Sequence, residues 1–183
     1  MHSESRRQKL EEAVALSAPL VADYPNVPDY AAAHARYLDD LGIATFLAGK
    51  AGEAEQFMRQ AVALEQGLVK QCPDMLAYGV WLAVMERSLG HVLIERAGWA
   101  EARGRLQSSV DRLESLRKND TGTRVPGFDR AVRNSLGNAY RDLIRALTGA
   151  GETGLADAAR RKAGEFDLDR GPDPFRGPPD GRR

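Results

Sequence analysis

The segment EAVALSAPLVADYP at residues 12–25 is repeated 48 positions later as QAVALEQGLVKQCP at residues 60–73. Seven of the fourteen residues are identical at that offset. A Leu-Gly pair at 41–42 is repeated at 89–90 by the same offset, and a third follows 47 positions later at 136–137. Agreement at so many positions indicates an internal repeat, so the chain is built from copies of one structural unit.

Each unit has the apolar pattern of two amphipathic helices. In the second helix of the first complete unit, the apolar residues of 54–61 follow the i, i+3, i+4, i+7 spacing of one helix face. No stretch alternates β-branched and polar residues, so the pattern predicts no strand. We therefore predict an all-α fold, with a kink or break at Pro19 because proline removes a backbone hydrogen bond inside a helix. The expected helices span residues 7–23, 29–48, 51–71, 74–97, 99–118, 127–149 and 153–167.

The composition excludes several classes of protein. Of 183 residues, 43% are hydrophobic, which is too many for a globally disordered chain. Acidic and basic residues number 26 each, so the net charge is zero, whereas a general nucleic-acid binder needs a basic surface. The single cysteine, Cys72, excludes an intramolecular disulfide framework, and three histidines are too few for a histidine-rich metal centre. We expect no metal, no cofactor and no nucleic-acid partner.

The sequence also lacks targeting signals. Residues 1–9 are charged and lead into no apolar h-region, which argues against a secretory signal peptide. The strongly apolar stretches, such as residues 75–85, fall far short of the roughly 20 residues that span a bilayer. We therefore expect a cytoplasmic protein that does not associate with membranes.

Large and small residues follow a fixed order along each unit. The first unit has them at Leu38, Leu41, Gly42, Ala54, Met58 and Ala61, the second at Leu89, Gly90, Leu93, Ala102, Leu106 and Ser109, and the third begins with Leu136, Gly137 and Tyr140. This order resembles the tetratricopeptide repeat, and the period of 48 is longer than that family's roughly 34 residues, as in its long-helix variants. The resemblance implies a helix-turn-helix repeat solenoid of about seven helices in a right-handed array.

The repeat register divides the chain into three parts. Residues 1–25 align with the second helix of a unit and are expected to cap the array as a half-repeat. The alternative is that the apolar stripe of this helix meets a second copy, which would give a homodimer, or that the chain is a piece of a longer array. Residues 26–167 form an array of three helix pairs, and residues 168–183, rich in Pro, Gly and Arg, form a flexible tail.

The family resemblance implies that the first helix of each pair lines a concave groove that holds a peptide or a partner segment. In the first helix of the third pair, the implied residues Asn134, Asn138 and Arg141 lie on one helix face. Their amide and guanidinium groups are donors that can clamp a peptide backbone or a carboxylate. The alternative to a binding role is an ordinary solvated helix face for these three residues, and a half-buried packing position for His91. The implied groove residues are Arg36, Asp39, Ile43, Phe46, Val84, Arg87, His91, Ile94, Asn134, Asn138 and Arg141.

The function predicted from these features is non-catalytic. Adjacent carboxylates at 11–12 and 39–40 point to different helix faces and make poor acid–base pairs. We expect a protein–protein interaction scaffold whose partner is another protein or peptide. The segments LVADYP at residues 20–25 and PDY at residues 28–30 also resemble the repeat tails of some bacterial serine/threonine protein kinases, although no kinase motif is present. The alternative is therefore a detached or decayed regulatory tetratricopeptide tail of a bacterial signalling kinase.

Overall fold

The computed structural model describes residues 2–119 and 128–164, together with Phe166 and Phe175. Within these residues the chain forms seven α-helices and no strand, which confirms the predicted all-α class. The last helix ends at Ala163, four residues earlier than the sequence predicted. The helices are α1 (His2–Asp23), α2 (Pro28–Leu47), α3 (Ala51–Gln71), α4 (Leu76–Glu95), α5 (Trp99–Asn119), α6 (Phe128–Gly149) and α7 (Thr153–Ala163).

The helices pack in neighbouring pairs along the chain. α2 packs on α3, α4 on α5 and α6 on α7, and each helix also packs on the next one in sequence. In addition, α4 contacts both α2 and α6, so the first helices of the three pairs lie side by side. Nearly every residue of α4 from 82 to 94 is buried. The main hydrophobic core therefore surrounds α4.

The turn inside each pair has the same backbone geometry. Gly49, Ala97 and Gly151 each follow a helix with a positive φ, of 82°, 58° and 77° respectively. One residue later an amide donates back across the helix end, as from Lys50 N–H to the Thr45 carbonyl at 3.1 Å. Equivalent bonds of 2.9 Å close the ends of α4 and α6, so all three are Schellman-type helix ends. This turn reverses the chain within three residues.

Glycines in the first helices let the second helices approach closely. A Cβ atom added to Gly42 would lie 2.7 Å from Met58 Cγ, and one added to Gly90 would lie 2.6 Å from Leu106 Cγ. No side chain fits at such distances unless the neighbour moves, and a close-packed core resists that movement. Met58 and Leu106 occupy equivalent positions in successive units, and both are fully buried. The repeat in the sequence is therefore a repeat of this contact.

Pro19 lies inside α1 and does not end it. The predicted break is absent, because α1 continues from His2 to Asp23. The carbonyl that loses its amide partner belongs to Ala15, four residues before the proline. Ala15 and Pro19 are both exposed, so water can bind that carbonyl in place of the missing amide.

Helix α1 packs on α2 and leaves part of its apolar stripe exposed. Val14 packs against the main core, and Ser17 Oγ lies 2.7 Å from His34 Nδ1 of α2. Leu16 and Leu20, by contrast, are 75% and 40% exposed. The capping role and the homodimer both stay predictions.

One core position differs in polarity between the units. Glu65 of α3 is fully buried, whereas the equivalent position of the next unit holds the equally buried Leu113. Neither carboxyl oxygen of Glu65 has a hydrogen-bond partner among the described residues. Burial raises the pKa of Glu65 to about 7, and the positive charge of Arg36 only partly opposes that rise. The fold therefore favours the protonated form of Glu65.

We expect Glu65→Leu to stabilise the protein, and to do so more at alkaline pH. Because the folded pKa of about 7 exceeds the ordinary value of 4.5, the wild type loses stability as the pH rises through this window, by roughly 3 kcal/mol in all. Leucine at this position has no carboxyl group to ionise. Urea unfolding at about pH 5 and about pH 8 should show a larger gain in unfolding free energy at pH 8.

The matched control is Glu65→Gln, which keeps a polar group of similar size but cannot ionise. It should remove the same pH dependence without the gain from an apolar side chain. A difference between wild type and Glu65→Leu that is the same at both pH values would contradict the assignment.

We expect Gly90→Ala to lower the free energy of unfolding by about 1–3 kcal/mol, because the new methyl group overlaps Leu106. Gly104→Ala on the exposed side of α5, where no atom lies near the added Cβ, should instead stabilise the helix by about 0.5–1 kcal/mol. Combining Gly90→Ala with Leu106→Ala should cost less than the sum of the two single changes. Urea unfolding of all four variants measures these changes. If the losses of the two single variants simply add in the double variant, the contact between Gly90 and Leu106 is contradicted.

Candidate functional site

Three of the predicted groove residues lie together where α2 meets α4. Phe46 of α2 and His91 of α4 have ring centroids 5.7 Å apart in an edge-to-face arrangement. Arg87 lies four residues before His91, so the two side chains share one face of α4. We term Phe46, Arg87 and His91 the aromatic pocket.

A buried carboxylate on α6 holds Arg87 and His91 in place. Asp142 Oδ2 accepts a hydrogen bond from Arg87 Nε at 2.8 Å, and Asp142 Oδ1 lies 3.2 Å from His91 Nδ1. Arg145 on the same helix approaches Asp142 at 3.5 Å and donates to Glu95 of α4 at 2.6 Å. Asp142 is 1% exposed and Arg87 5%, so this contact between α4 and α6 is shielded from water.

The charges around Asp142 determine its ionisation. Burial by itself would raise the pKa of Asp142, but the hydrogen bond with His91 and the charge of Arg87 together outweigh that effect, and the pKa is lowered. The carboxylate is therefore ionised at neutral pH. An ionised acceptor makes the stronger, shorter hydrogen bonds that fix the orientation of its donors.

An aromatic side chain from the C-terminal segment fills the aromatic pocket. Phe175 is 9% exposed and stacks on the His91 ring, with centroids 4.0 Å apart and an interplanar angle of 14°. Phe46 meets its ring edge-on at 5.5 Å and 81°, and the Arg87 guanidinium lies 5.3 Å from its centre. The tail composition gave no indication of this packing. The flexibility predicted for 168–183 otherwise concerns positions outside the described residues.

Asp39 is buried between α2 and α4. Its Oδ2 accepts a hydrogen bond from Ser88 Oγ at 3.3 Å, while no described residue donates to its Oδ1. Burial raises the pKa of Asp39 to about 7, the charge of Asp40 adds to the rise, and Ser88 and Arg87 partly oppose it. With only 6% of its surface exposed, Asp39 offers little area to a ligand.

The other candidate residues have mixed environments. Arg36 is exposed, and its guanidinium lies 5.5 Å from the centre of the Trp81 ring. Asn134 is exposed, whereas Asn138 is 7% exposed and accepts a hydrogen bond from Arg141 at 2.9 Å. The polar face predicted on α6 is therefore engaged partly in contacts within the helix.

Two residues of this site were not anticipated from the sequence. Asp142 lies four residues after Asn138, on the face of α6 already singled out, so its helical position was a usable signal. Phe175 is an aromatic residue in a segment otherwise rich in Pro and Gly. A lone aromatic side chain in such a segment was a usable indication of a contact with the helices. Both contacts are distant in sequence, because Asp142 reaches across one repeat unit to Arg87, and Phe175 reaches from the C-terminal segment back to His91 of α4.

The aromatic pocket has the chemistry of a ring-binding site. A parallel imidazole, an edge-on phenyl group and a guanidinium ion are contacts that proteins use to hold aromatic rings. The buried Arg87–Asp142 ion pair and the His91–Asp142 contact behind the pocket keep two of these three groups from turning away. The arrangement can therefore bind a flat side chain with a defined orientation.

The rest of the described chain offers no second centre of comparable chemistry. No group of three or more His, Cys, Asp or Glu side chains there could hold a metal ion. A cleft of about 990 Å³ runs along α5 from Arg103 to Leu116, reaches Leu155 and includes no residue of the aromatic pocket. None of the described helices is both long and apolar enough to cross a membrane.

Comparison with known proteins identifies no relative: no family model, no curated protein and no solved structure matches the chain. The resemblance to the tetratricopeptide repeat stays a prediction from the sequence. The site is accordingly interpreted from its own geometry.

We expect Asp142→Asn to lower the free energy of unfolding by roughly 3–5 kcal/mol near neutral pH, because the buried Arg87 charge then loses the carboxylate that accepts a hydrogen bond from its Nε. Since the pKa of Asp142 lies below its ordinary value of 3.8, its carboxylate stabilises the fold above that pH and loses this effect as the pH falls through the folded pKa. The difference from wild type in urea unfolding should therefore shrink in acid.

Asp157→Asn is the matched control, because Asp157 forms an exposed ion pair with Arg160 at 2.6 Å on α7. Its loss should be no more than about 1 kcal/mol. Equal losses at the two positions would show that burial of the Asp142 cluster contributes nothing.

Proposed function

We propose that this protein is a non-catalytic interaction module that binds an extended peptide or partner segment on the face formed by α2, α4 and α6. The observation that carries the proposal is the packing of Phe175, a residue outside the seven helices, against α2 and α4. This is the face where the resemblance to the tetratricopeptide repeat implies ligand binding. A side chain that comes from outside the seven helices is what such a module would bind.

The spacing of the helices supports a curved array of the tetratricopeptide kind. The first helices contact one another directly, because α4 packs on both α2 and α6. The second helices are joined by long side chains, as where Arg59 of α3 reaches Glu101 of α5 at 2.6 Å. A row of helices that is packed more closely lies on the inner side of a bend. We therefore assign α2, α4 and α6 to the concave side of a solenoid, whose right-handed coil is what the resemblance to the tetratricopeptide repeat implies.

The use of His91 argues against a hydrolase. Its pairing with Asp142 resembles the orienting half of a Ser-His-Asp triad, which also needs a hydroxyl nucleophile at the other imidazole nitrogen. The Ser88 hydroxyl, one turn away on α4, donates instead to Asp39. Phe175 covers one face of the imidazole. These contacts suit binding, and the described residues around the aromatic pocket include no assembled nucleophile.

The regulatory-tail alternative uses the same face of the array. In that case the helices act in cis on an upstream kinase domain. This alternative stays a prediction from the sequence, and binding of a segment is the property that the two functions share.

The proposal is tested by selecting peptides from a random display library on the full-length chain. Synthetic versions of the selected peptides should bind with micromolar affinity in fluorescence anisotropy. In a chain that also carries Phe175→Ala, so that its own ring does not compete for the pocket, Phe46→Ala and His91→Gln should each weaken binding roughly 5- to 10-fold, because each removes an aromatic contact of about 1 kcal/mol. Glutamine at position 91 can still bond Asp142, so the pairing of α4 with α6 is preserved.

Arg103→Ala is the matched control, because Arg103 is exposed on α5 and pairs with Glu152 at 2.7 Å. It should bind the peptides like wild type, and thermal melting followed by circular dichroism should show all variants folded. Peptides that bind Phe175→Ala equally tightly with and without Phe46→Ala or His91→Gln would contradict the proposed face.

A further inference from the structure

We propose that the aromatic pocket is a recognition site for an aromatic side chain in a proline-containing segment, and that its resident occupant is Phe175 of the same chain. The C-terminal segment then acts as a ligand in cis, which an external segment must displace. The existence of an external ligand rests on the proposed function, whereas the occupation by Phe175 does not.

The geometry selects an aromatic ring over an aliphatic side chain. Phe175 lies parallel to His91, within 14°, and perpendicular to Phe46, at 81°. The Arg87 guanidinium approaches the same ring at 5.3 Å. Each of these three contacts depends on a π-electron face or a ring edge, which leucine or valine does not have.

The pocket is held in shape by contacts independent of its occupant. Asp142 binds both Arg87 and His91 from α6, through one oxygen each. The two groups that meet the faces of the Phe175 ring are therefore oriented by the array itself. A preorganised site binds with less loss of conformational freedom, and it accepts any segment that presents a suitable ring.

A second aromatic contact ties the same segment to the array. Phe166, just after α7, stacks on Tyr140 of α6 with centroids 5.7 Å apart and an angle of 19°. The Arg117 guanidinium lies 5.4 Å from the Phe166 ring. Both described residues of the segment beyond Gly164 thus combine a stacked ring with an arginine.

This tether favours occupation by the same chain over occupation by a second copy. Phe166 and Phe175 are nine residues apart, which limits their separation to about 30 Å. A ligand held by so short a connection has an effective concentration of millimolar order. A second copy reaches that concentration only in very concentrated solution.

The sequence around Phe175 indicates the chemistry of a competing ligand. Phe175 is preceded by Pro174 and followed by Arg176, in a segment with further prolines. Proline restricts its own backbone conformation and that of the residue before it. A segment rich in proline therefore loses little conformational entropy when it binds in an extended form. We expect the external partner to present an aromatic residue after proline in a segment without helical structure.

The first experiment measures occupation in cis by proton NMR of the full-length chain. The protein has three histidines, and His91→Gln identifies the signals of His91. Stacking on Phe175 shields the His91 ring protons, so Phe175→Ala and Phe175→Leu should both move them downfield. Arg182→Ala, in the same tail, should not. Unchanged His91 signals in Phe175→Ala would overturn the inference. Shielding of the His91 protons that decreases when the wild-type protein is diluted would also overturn it, because the ring would then come from a second copy.

The second experiment measures competition with a labelled synthetic peptide of residues 169–181. It should bind the full-length Phe175→Ala chain, and the same peptide with alanine at position 175 should not. If its dissociation constant is about 100 µM and the effective concentration of the tail about 1 mM, the wild-type chain should bind it roughly 10-fold more weakly. Circular dichroism melting checks that Phe175→Ala is folded.

The outcomes separate this inference from the proposed function. Equal binding of the peptide to wild type and Phe175→Ala, or no binding to Phe175→Ala, would overturn the cis ligand even if peptides selected from the library bind the same face. Shielded His91 protons and a roughly 10-fold competition, with no library peptide bound, would support the cis ligand and count against the external one.

Discussion

The fold depends on a steric constraint inside the first two helix pairs: a glycine of the first helix lets a large side chain of the second touch its backbone. Gly42 receives Met58 in this way, and Gly90 receives Leu106. The contact sets the distance between the two helix axes, and a three-residue turn with a positive φ returns the chain at that distance. Because the pair is then a rigid unit, the remaining freedom lies in how successive pairs stack.

Buried polar groups restrict that stacking. Asp142 joins α6 to α4 through Arg87 and His91, and Ser88 of α4 donates to Asp39 of α2. Removing such groups from water costs free energy that is recovered only when the partners meet in good geometry. These contacts therefore penalise any other register of α2, α4 and α6. Glu65 lacks such a partner among the described residues, and a raised pKa is the result.

The aromatic pocket is a consequence of the same interface. Arg87 and His91 bind Asp142 through their edges, and the flat faces of both groups are then available to a ring that approaches from the side of Phe46. A contact that orders the array thus also orients the groups that hold the Phe175 ring. This coupling explains why a site suited to an aromatic ring occurs at the junction between helix pairs.

The sequence by itself determined the helices and their pairing, because apolar spacing, glycine turns and the internal repeat are local or periodic features. The predicted bounds of α2 to α6 agree with the structure within two residues. Only the tertiary structure decided which polar residues of the predicted groove are buried, since a helical pattern identifies a face but not the neighbour that covers it. Asp142 and Phe175 entered the site in the same way, through contacts between distant parts of the chain that no periodicity records.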